Sequence, residues 1–242
     1  MQVIQKFLKN SLRNFNYIII SDHSSESIFI DPFDLTETLP LIGDKKPKYL
    51  INTHHHHDHV RDNERFLSLD NTQKLVLADG EYFELSPNEK IKAVHTPGHV
   101  NDHICYFLYQ DDCLTGIISG DTIFNGGVGN CKNGGNPDDL YETIKNIFNP
   151  IEENPRIYPS HDYFLTNLKF AQTLEPDNEY IKKYIEQREN MDLDEEFIST
   201  SLNDEKKINP FFRALQGVFD DQFPEKSERE IFKAIRAKRD KW

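Results

Sequence analysis

The run His54-His55-His56-His57-Asp58-His59 follows, after Thr53, on the apolar stretch Lys48-Tyr49-Leu50-Ile51-Asn52. A purification tag would give consecutive histidines, but this run is internal and is punctuated by Asp58 and His59. A strand that delivers imidazoles to its own end places them where α/β folds build their sites. If the turn is locally extended, His54 and His56 point the same way, because side chains alternate with period two. They can then share one metal. Asp58 and His59, beyond the bend, can serve a second. His55 and His57 face elsewhere, as packing or supporting groups.

Three further strand ends offer donors: Thr96-Pro97-Gly98-His99, Ser119-Gly120-Asp121-Thr122 and Pro159-Ser160-His161. Alone, each is weak, since a loop histidine or aspartate is commonly a surface or capping group. Together they bring the donors to seven, enough for two four- or five-coordinate ions with one shared carboxylate.

The first half reads as short strands at 16–20, 27–31, 48–52, 74–78, 91–95, 104–109 and 113–119, with a short helix over 35–41. The Gly- and Asn-rich stretch 125–137 reads as loop, 138–148 as helix and 156–159 as strand. Beyond residue 166 the chain reads as helical and charged: 167–174, 178–191 and about 226–241. The expected organisation is α/β over 1–165 and a helical appendage over 166–242.

Composition narrows the function classes. Lys+Arg total 28 and Asp+Glu 41, a net charge of −13, which argues against a nucleic-acid or anionic-membrane binder. No apolar stretch reaches the roughly 20 residues of a membrane span, and the N-terminus lacks the apolar core of a secretion signal. Cys105, Cys113 and Cys131 form no disulfide framework, which points to a reducing, cytoplasmic setting. Cys105 lies in an apolar run and reads as a buried structural thiol rather than a nucleophile. A monomer is the default expectation.

His54-x-His56-x-Asp58-His59, then His99, Asp121 and His161, resembles the metallo-β-lactamase superfamily. Thr96-Pro97-Gly98-His99, Asp102-His103-Ile104-Cys105-Tyr106-Phe107, His161-Asp162-Tyr163 with Asn167-Leu168-Lys169-Phe170-Ala171, Glu175-Pro176 and Asn209-Pro210-Phe211-Phe212-Arg213 resemble the glyoxalase II, or hydroxyacylglutathione hydrolase, family. The resemblance covers nearly the whole chain. It implies an αββα sandwich with a C-terminal helical appendage that binds substrate. It also implies a ligand division: His54, His56 and His99 at one metal, Asp58, His59 and His161 at the other, and Asp121 bridging. Zinc is the first expectation for the two divalent ions, with iron or manganese also suited. His103 is not a ligand in the family pattern and reads as supporting; His95 and His23 read as ordinary surface or structural residues.

The implied reaction is attack of a metal-activated hydroxide on the thioester of S-D-lactoylglutathione, giving D-lactate and glutathione, the detoxifying step for methylglyoxal. Asp58 and Asp121 are the catalytic carboxylates, with Asp58 placed to accept a proton. No Gly-x-Ser-x-Gly nucleophile is present.

Residues 226–242 carry seven basic and three acidic side chains, a local +4. Phe232, Arg236 and Arg239 share a helical stripe, so the two arginines either overhang the site or simply favour the helix C-terminus. By resemblance, Arg236 and Arg239 sit where the family places basic residues against the glutathione glycine carboxylate, and Tyr163 matches a substrate contact. One segment departs from the family. In Gly127-Val128-Gly129-Asn130-Cys131-Lys132, Asn130 stands where a basic residue is expected and Lys132 where an aromatic is. The departure bears on which thiol carrier is bound. The alternatives are a superfamily thioesterase for another thiol, a mononuclear-iron persulfide dioxygenase, a lactamase, a nuclease, and a metal-binding protein without catalysis. The complete second ligand set and the glyoxalase-like tail weigh against the dioxygenase, the lack of any motif beyond the shared one against a lactamase, the net charge against a nuclease, and the full ligand set against a non-catalytic protein.

Overall fold

The computed structural model describes residues 1–242. Two five-stranded sheets form its centre. The first joins β1 (Gln2–Phe7), β2 (Phe15–Ile20), β3 (Glu26–Ile30), β4 (Lys46–Ile51) and β5 (Gln73–Lys74) in sequence order. The second has the order β12-β9-β8-β7-β6, from β6 (Tyr82–Ser86), β7 (Glu89–His95), β8 (Ile104–Gln110), β9 (Cys113–Gly120) and β12 (Arg156–Pro159). A two-residue-per-strand hairpin, β10 (Ile123–Phe124) and β11 (Gly127–Val128), follows β9.

Alternation in the strands builds the layers. Tyr17, Ile19, Ile28, Ile30 and Ile51 of the first sheet meet Ile91, Ala93, Tyr106, Leu108 and Ile118 of the second in one cluster between the sheets. The residues between them in sequence point away. Ile18, Phe29 and Leu50 pair across adjacent strands and pack under Leu35 and Phe66, which lie on α1 (Leu35–Thr38) and α3 (Asn63–Leu67). Between these two helices lies α2 (His57–Val60). On the far face, Cys105, Phe107 and Ile117 pack with Leu140, Phe211, Phe212, Phe232 and Ile235. The strands are apolar on both faces because helices cover both sheets. The result is the expected αββα sandwich.

The covering helices on the far side are α4 (Pro137–Thr143), continued by a π-turn at Ile144–Phe148, then α5 (Phe164–Leu174), α6 (Glu179–Glu189), α7 (Leu202–Ile208), α8 (Pro210–Ala214) and α9 (Glu228–Arg239). Ser227 and Glu230 close a capping box at the start of α9, which fixes where that helix begins. Phe170 and Leu174 of α5, Leu202 of α7, and helices α8 and α9 share the far-face core with the second sheet, whereas α6 packs with α5 and Ile208 of α7 in a smaller cluster.

Several sequence expectations need correction. The strand expected at 74–78 pairs only at Gln73–Lys74. Leu77 is still buried between the sheets, so its apolar character reflects burial without a continued ladder. The loop expected at 125–137 contains β11. The bend after His56 is a full helical turn, α2. Strands β1 and β6 went unread because as edge strands they alternate weakly and stay partly exposed.

Candidate metal centre

The ends of β4, β9 and β12, and the β7–β8 connection, converge at one edge of the sandwich. His54 leaves β4, Asp121 leaves β9, His161 leaves β12, and His99 lies between β7 and β8. Asp58 and His59 come from α2. All seven expected donors lie together. His56 Nδ1 is 3.0 Å from both His54 Nε2 and His99 Nε2. Asp121 turns Oδ2 to His99 Nε2 at 3.3 Å and Oδ1 to His59 and His161 Nε2 at 3.5 and 3.3 Å. Asp58 Oδ2 is 3.4 Å from His59 Nε2 and from His161 Nε2.

The outer ring nitrogens fix the tautomers. His59 Nδ1 donates to Asp31 Oδ2 at 2.8 Å, His99 Nδ1 to the Asn130 carbonyl at 2.7 Å, and His161 Nδ1 to the Leu12 carbonyl at 2.8 Å. His56 Nε2 donates to the Asn133 carbonyl at 3.1 Å. Thr53 Oγ1 donates to Asp31 at 2.6 Å and so accepts from His54 Nδ1 at 3.0 Å. Carbonyl, carboxylate and the committed Thr53 hydroxyl accept these protons, so each ring in its neutral form presents a bare lone pair inward.

Five inward lone pairs and two carboxylates at 3.0–3.5 Å repel one another unless a cation lies among them. The spacing itself fits one. With bonds of about 2.0–2.2 Å to an ion, neighbouring donors at tetrahedral corners stand roughly 3.3 Å apart. His59 Nε2 and Asp121 Oδ1 are buried with no hydrogen-bond partner, an arrangement that is costly without a ligand. Burial opposes charge on His59, yet Asp31, Asp121 and Asp58 outweigh it and push the ring up to about 9. Burial also works against the Asp121 carboxylate, but His161, His59 and His99 hold it well below the usual range. Burial pushes His54 and His99 down. The site therefore calls for positive charge in the acidic half and for neutral imidazoles around it, as a metal centre requires.

His55 and His57 face away from the centre as expected, but both are exposed rather than packed. His55 pairs with Asp102 at 2.8 Å. His103 is fully buried, and its Nε2 accepts from the Asp121 amide at 3.0 Å, so it anchors the Asp121 backbone. Gly120, at φ +54°, is required there because a Cβ would stand 2.5 Å from His103 Nε2.

Beside the centre, the five residues expected at the substrate line one cavity of about 230 Å³ with Phe124, Val128, Asn167 and Asp240. Tyr163 stacks on His161, with ring planes 1° apart and centroids at 5.1 Å. Arg239 is half-buried and donates to Asn167 Oδ1 at 3.2 Å. Arg236 is more committed: it donates to the Val128 and Gly129 carbonyls at 2.9 and 3.2 Å and pairs with Asp240 at 2.9 Å. The Asn130 side chain accepts from the Lys132 amide, and Lys132 Nζ reaches the Asp240 carbonyl at 3.1 Å.

Sequence reasoning missed the supporting residues. Asp31 follows a strand with no motif around it. Glu205 is buried, is pushed up to about 7 by burial, and accepts from the Gly126 amide and Asn209 Nδ2. Only their burial, invisible in one sequence, marks them.

A sandwich of two sheets with imidazoles and carboxylates gathered at one edge defines a metal-binding protein of the metallo-β-lactamase fold. Residues 21–80 match the family described as Metallo-beta-lactamase superfamily. A crystal structure of a metallo-beta-lactamase from Staphylococcus aureus superposes with a TM-score of 0.64 at 19% identity, covering 98% of this chain and 71% of that one. Residues 162–242 match the family described as Hydroxyacylglutathione hydrolase C-terminus. The chain is 32% identical to a hydroxyacylglutathione hydrolase of Nitrosococcus oceani, covering 100% of both. It is 30% identical to one of a Polaromonas species, covering 96% of this chain and 97% of the relative. The chain belongs to the hydroxyacylglutathione hydrolase family.

Proposed function

We propose that the chain hydrolyses S-D-lactoylglutathione and related 2-hydroxyacylglutathione thioesters, releasing the hydroxy acid and glutathione, in the detoxification of methylglyoxal. The observation that carries the reading is a seven-donor metal constellation opening beside a cavity lined by Arg236, Arg239 and Lys132.

His54, His56 and His99 would hold one divalent ion, Asp58, His59 and His161 the other, and Asp121 would touch both. Imidazole-rich donors suit zinc first, with iron and manganese close behind. Such a pair supplies Lewis acidity and water activation near neutral pH. The chain's own residues do the rest. Arg239, the less engaged arginine, pairs with the glycine carboxylate of the glutathionyl group. Arg236 holds the Val128–Gly129 backbone and adds to the positive field. Tyr163, fixed against His161, orients the thiol end. Asn130 shapes the wall through its turn with Lys132, and Lys132 supplies charge at the rim. Asp58, whose Oδ2 is oriented by Asn14 toward His59 and His161, is the proton acceptor in turnover. Residues 1–165 carry the chemistry and one wall of the substrate cavity, with Asn130, Lys132 and Tyr163, and 166–242 supply the arginine wall opposite. The protein acts as a monomer in the cytoplasm. No helix is long and apolar enough to cross a membrane, and the binding partner is a small thioester rather than nucleic acid.

Steady-state hydrolysis of lactoylglutathione tests the reading. Arg239→Ala is expected to raise KM about tenfold to a hundredfold, the worth of one charge-assisted contact, with kcat within a few-fold of the parent. Absence of thioester hydrolysis by the metal-loaded parent protein sinks the proposal. An unchanged KM in the variant removes the carboxylate contact alone.

A further inference from the structure

The turn between β1 and β2 lies against the half of the centre formed by Asp58, His59 and His161. Asn14 is 2% exposed, and its Nδ2 donates to Asp58 Oδ2 at 3.0 Å. Its Oδ1 is buried with no partner. The amide cannot be turned round, because Oδ1 would then face a carboxylate oxygen. Two residues earlier, the Leu12 carbonyl takes the His161 Nδ1 proton. Asn14 also bridges His161 through its backbone, and the Phe15 amide donates to the Ser160 carbonyl at 2.7 Å. Arg13, between them, has φ +55°, a conformation uncommon for a residue with a side chain. It pairs with Asp162 and Asp194 at 2.8 Å, and Asp162 is held from the other side by the buried Arg188 at 2.7 Å.

The turn makes no hydrogen bond to His54, His56 or His99, which are held by Thr53, Asn133 and Asn130. Its polar groups serve one half of the centre only. A buried amide with an unsatisfied oxygen and a strained neighbour costs free energy, and packing alone would favour an apolar residue there. We infer that the 10–14 turn is the positioning device of the second ion, with Asn14 as its working residue. By fixing the Asp58 carboxylate it sets the affinity of the Asp58/His59/His161 position and leaves the His54/His56/His99 position alone. Partners behind metal ligands typically govern affinity by 10- to 100-fold.

This inference rests on the two-ion reading. The test is a titration of the full-length, chelator-stripped protein with Zn²⁺ against a competing indicator dye, resolving the two dissociation constants. Asn14→Ala is expected to weaken the second Zn²⁺ by about 10- to 100-fold and to leave the first within about threefold. Asn14→Ser, smaller but still polar, guards against collapse of the turn, and melting of both stripped variants reports their folding. Equal weakening of both ions, or an unchanged second ion in either folded variant, overturns the inference. Fewer than two ions in the unmodified protein overturns the two-ion reading instead.

Discussion

Asp121→Ala is expected to lower kcat by at least about a thousandfold, near 4 kcal/mol of lost transition-state stabilisation, and to leave the purified protein short of its full metal content. Asp121 is the one residue whose oxygens face opposite ways, Oδ2 to His99 and Oδ1 to His59 and His161. On the two-ion proposal its loss would strip a donor from both ions at once and remove the negative charge between the two donor groups. His103 and Gly120 hold its backbone independently of the side chain, so the fold should survive. Metal analysis alongside kinetics checks this. A folded variant that keeps two ions and turns over within tenfold of the parent would show that Asp121 does not bridge.

The second large effect is expected at Gly129. A Cβ there would stand 2.0 Å from the Asp121 carbonyl oxygen and 2.9 Å from His99 Nδ1. Neither neighbour is the end of a flexible chain, so the backbone of the bridging residue must move. Gly129 lies beside the Arg236 guanidinium as well, through its own carbonyl. Gly129→Ala therefore disturbs Asp121, His99 and the cavity wall at Arg236 together. Overpacking costs about 1–3 kcal/mol, which lowers Tm by several degrees. The activity loss should be larger, about a hundredfold or more in kcat/KM, because displacement by about 1 Å at a reacting centre is that costly. Full activity in Gly129→Ala would show that the Asp121 backbone is free to shift without consequence.

The clustering of the seven candidate donors was legible in the sequence because metal chemistry restricts residue type and position so tightly. His54, His56, Asp58 and His59 announce themselves by composition, and His99, Asp121 and His161 by ending strands with Gly or Pro close by. The layers were legible where both faces of a strand are covered, as in Tyr17–Ile20 and Cys105–Leu108. Edge strands β1 and β6 were not, since half-exposed residues carry little alternation. The state of Arg236 was also beyond the sequence. Its place on the helical stripe could be read, but its partners Val128 and Gly129 lie 108 and 107 positions away. Asn14, Asp31 and Glu205 show the same limit. A polar residue that matters through what it touches leaves no local pattern.

The seven side chains are held to grip two cations at once, and stepwise reconstitution asks this most directly. The chelator-stripped protein is titrated with Zn²⁺ while lactoylglutathione hydrolysis is followed. Activity should be absent at the start, rise with added metal, and level off at two equivalents per chain. Full hydrolysis in the stripped protein, or a plateau after a single equivalent, would contradict the paired-ion centre.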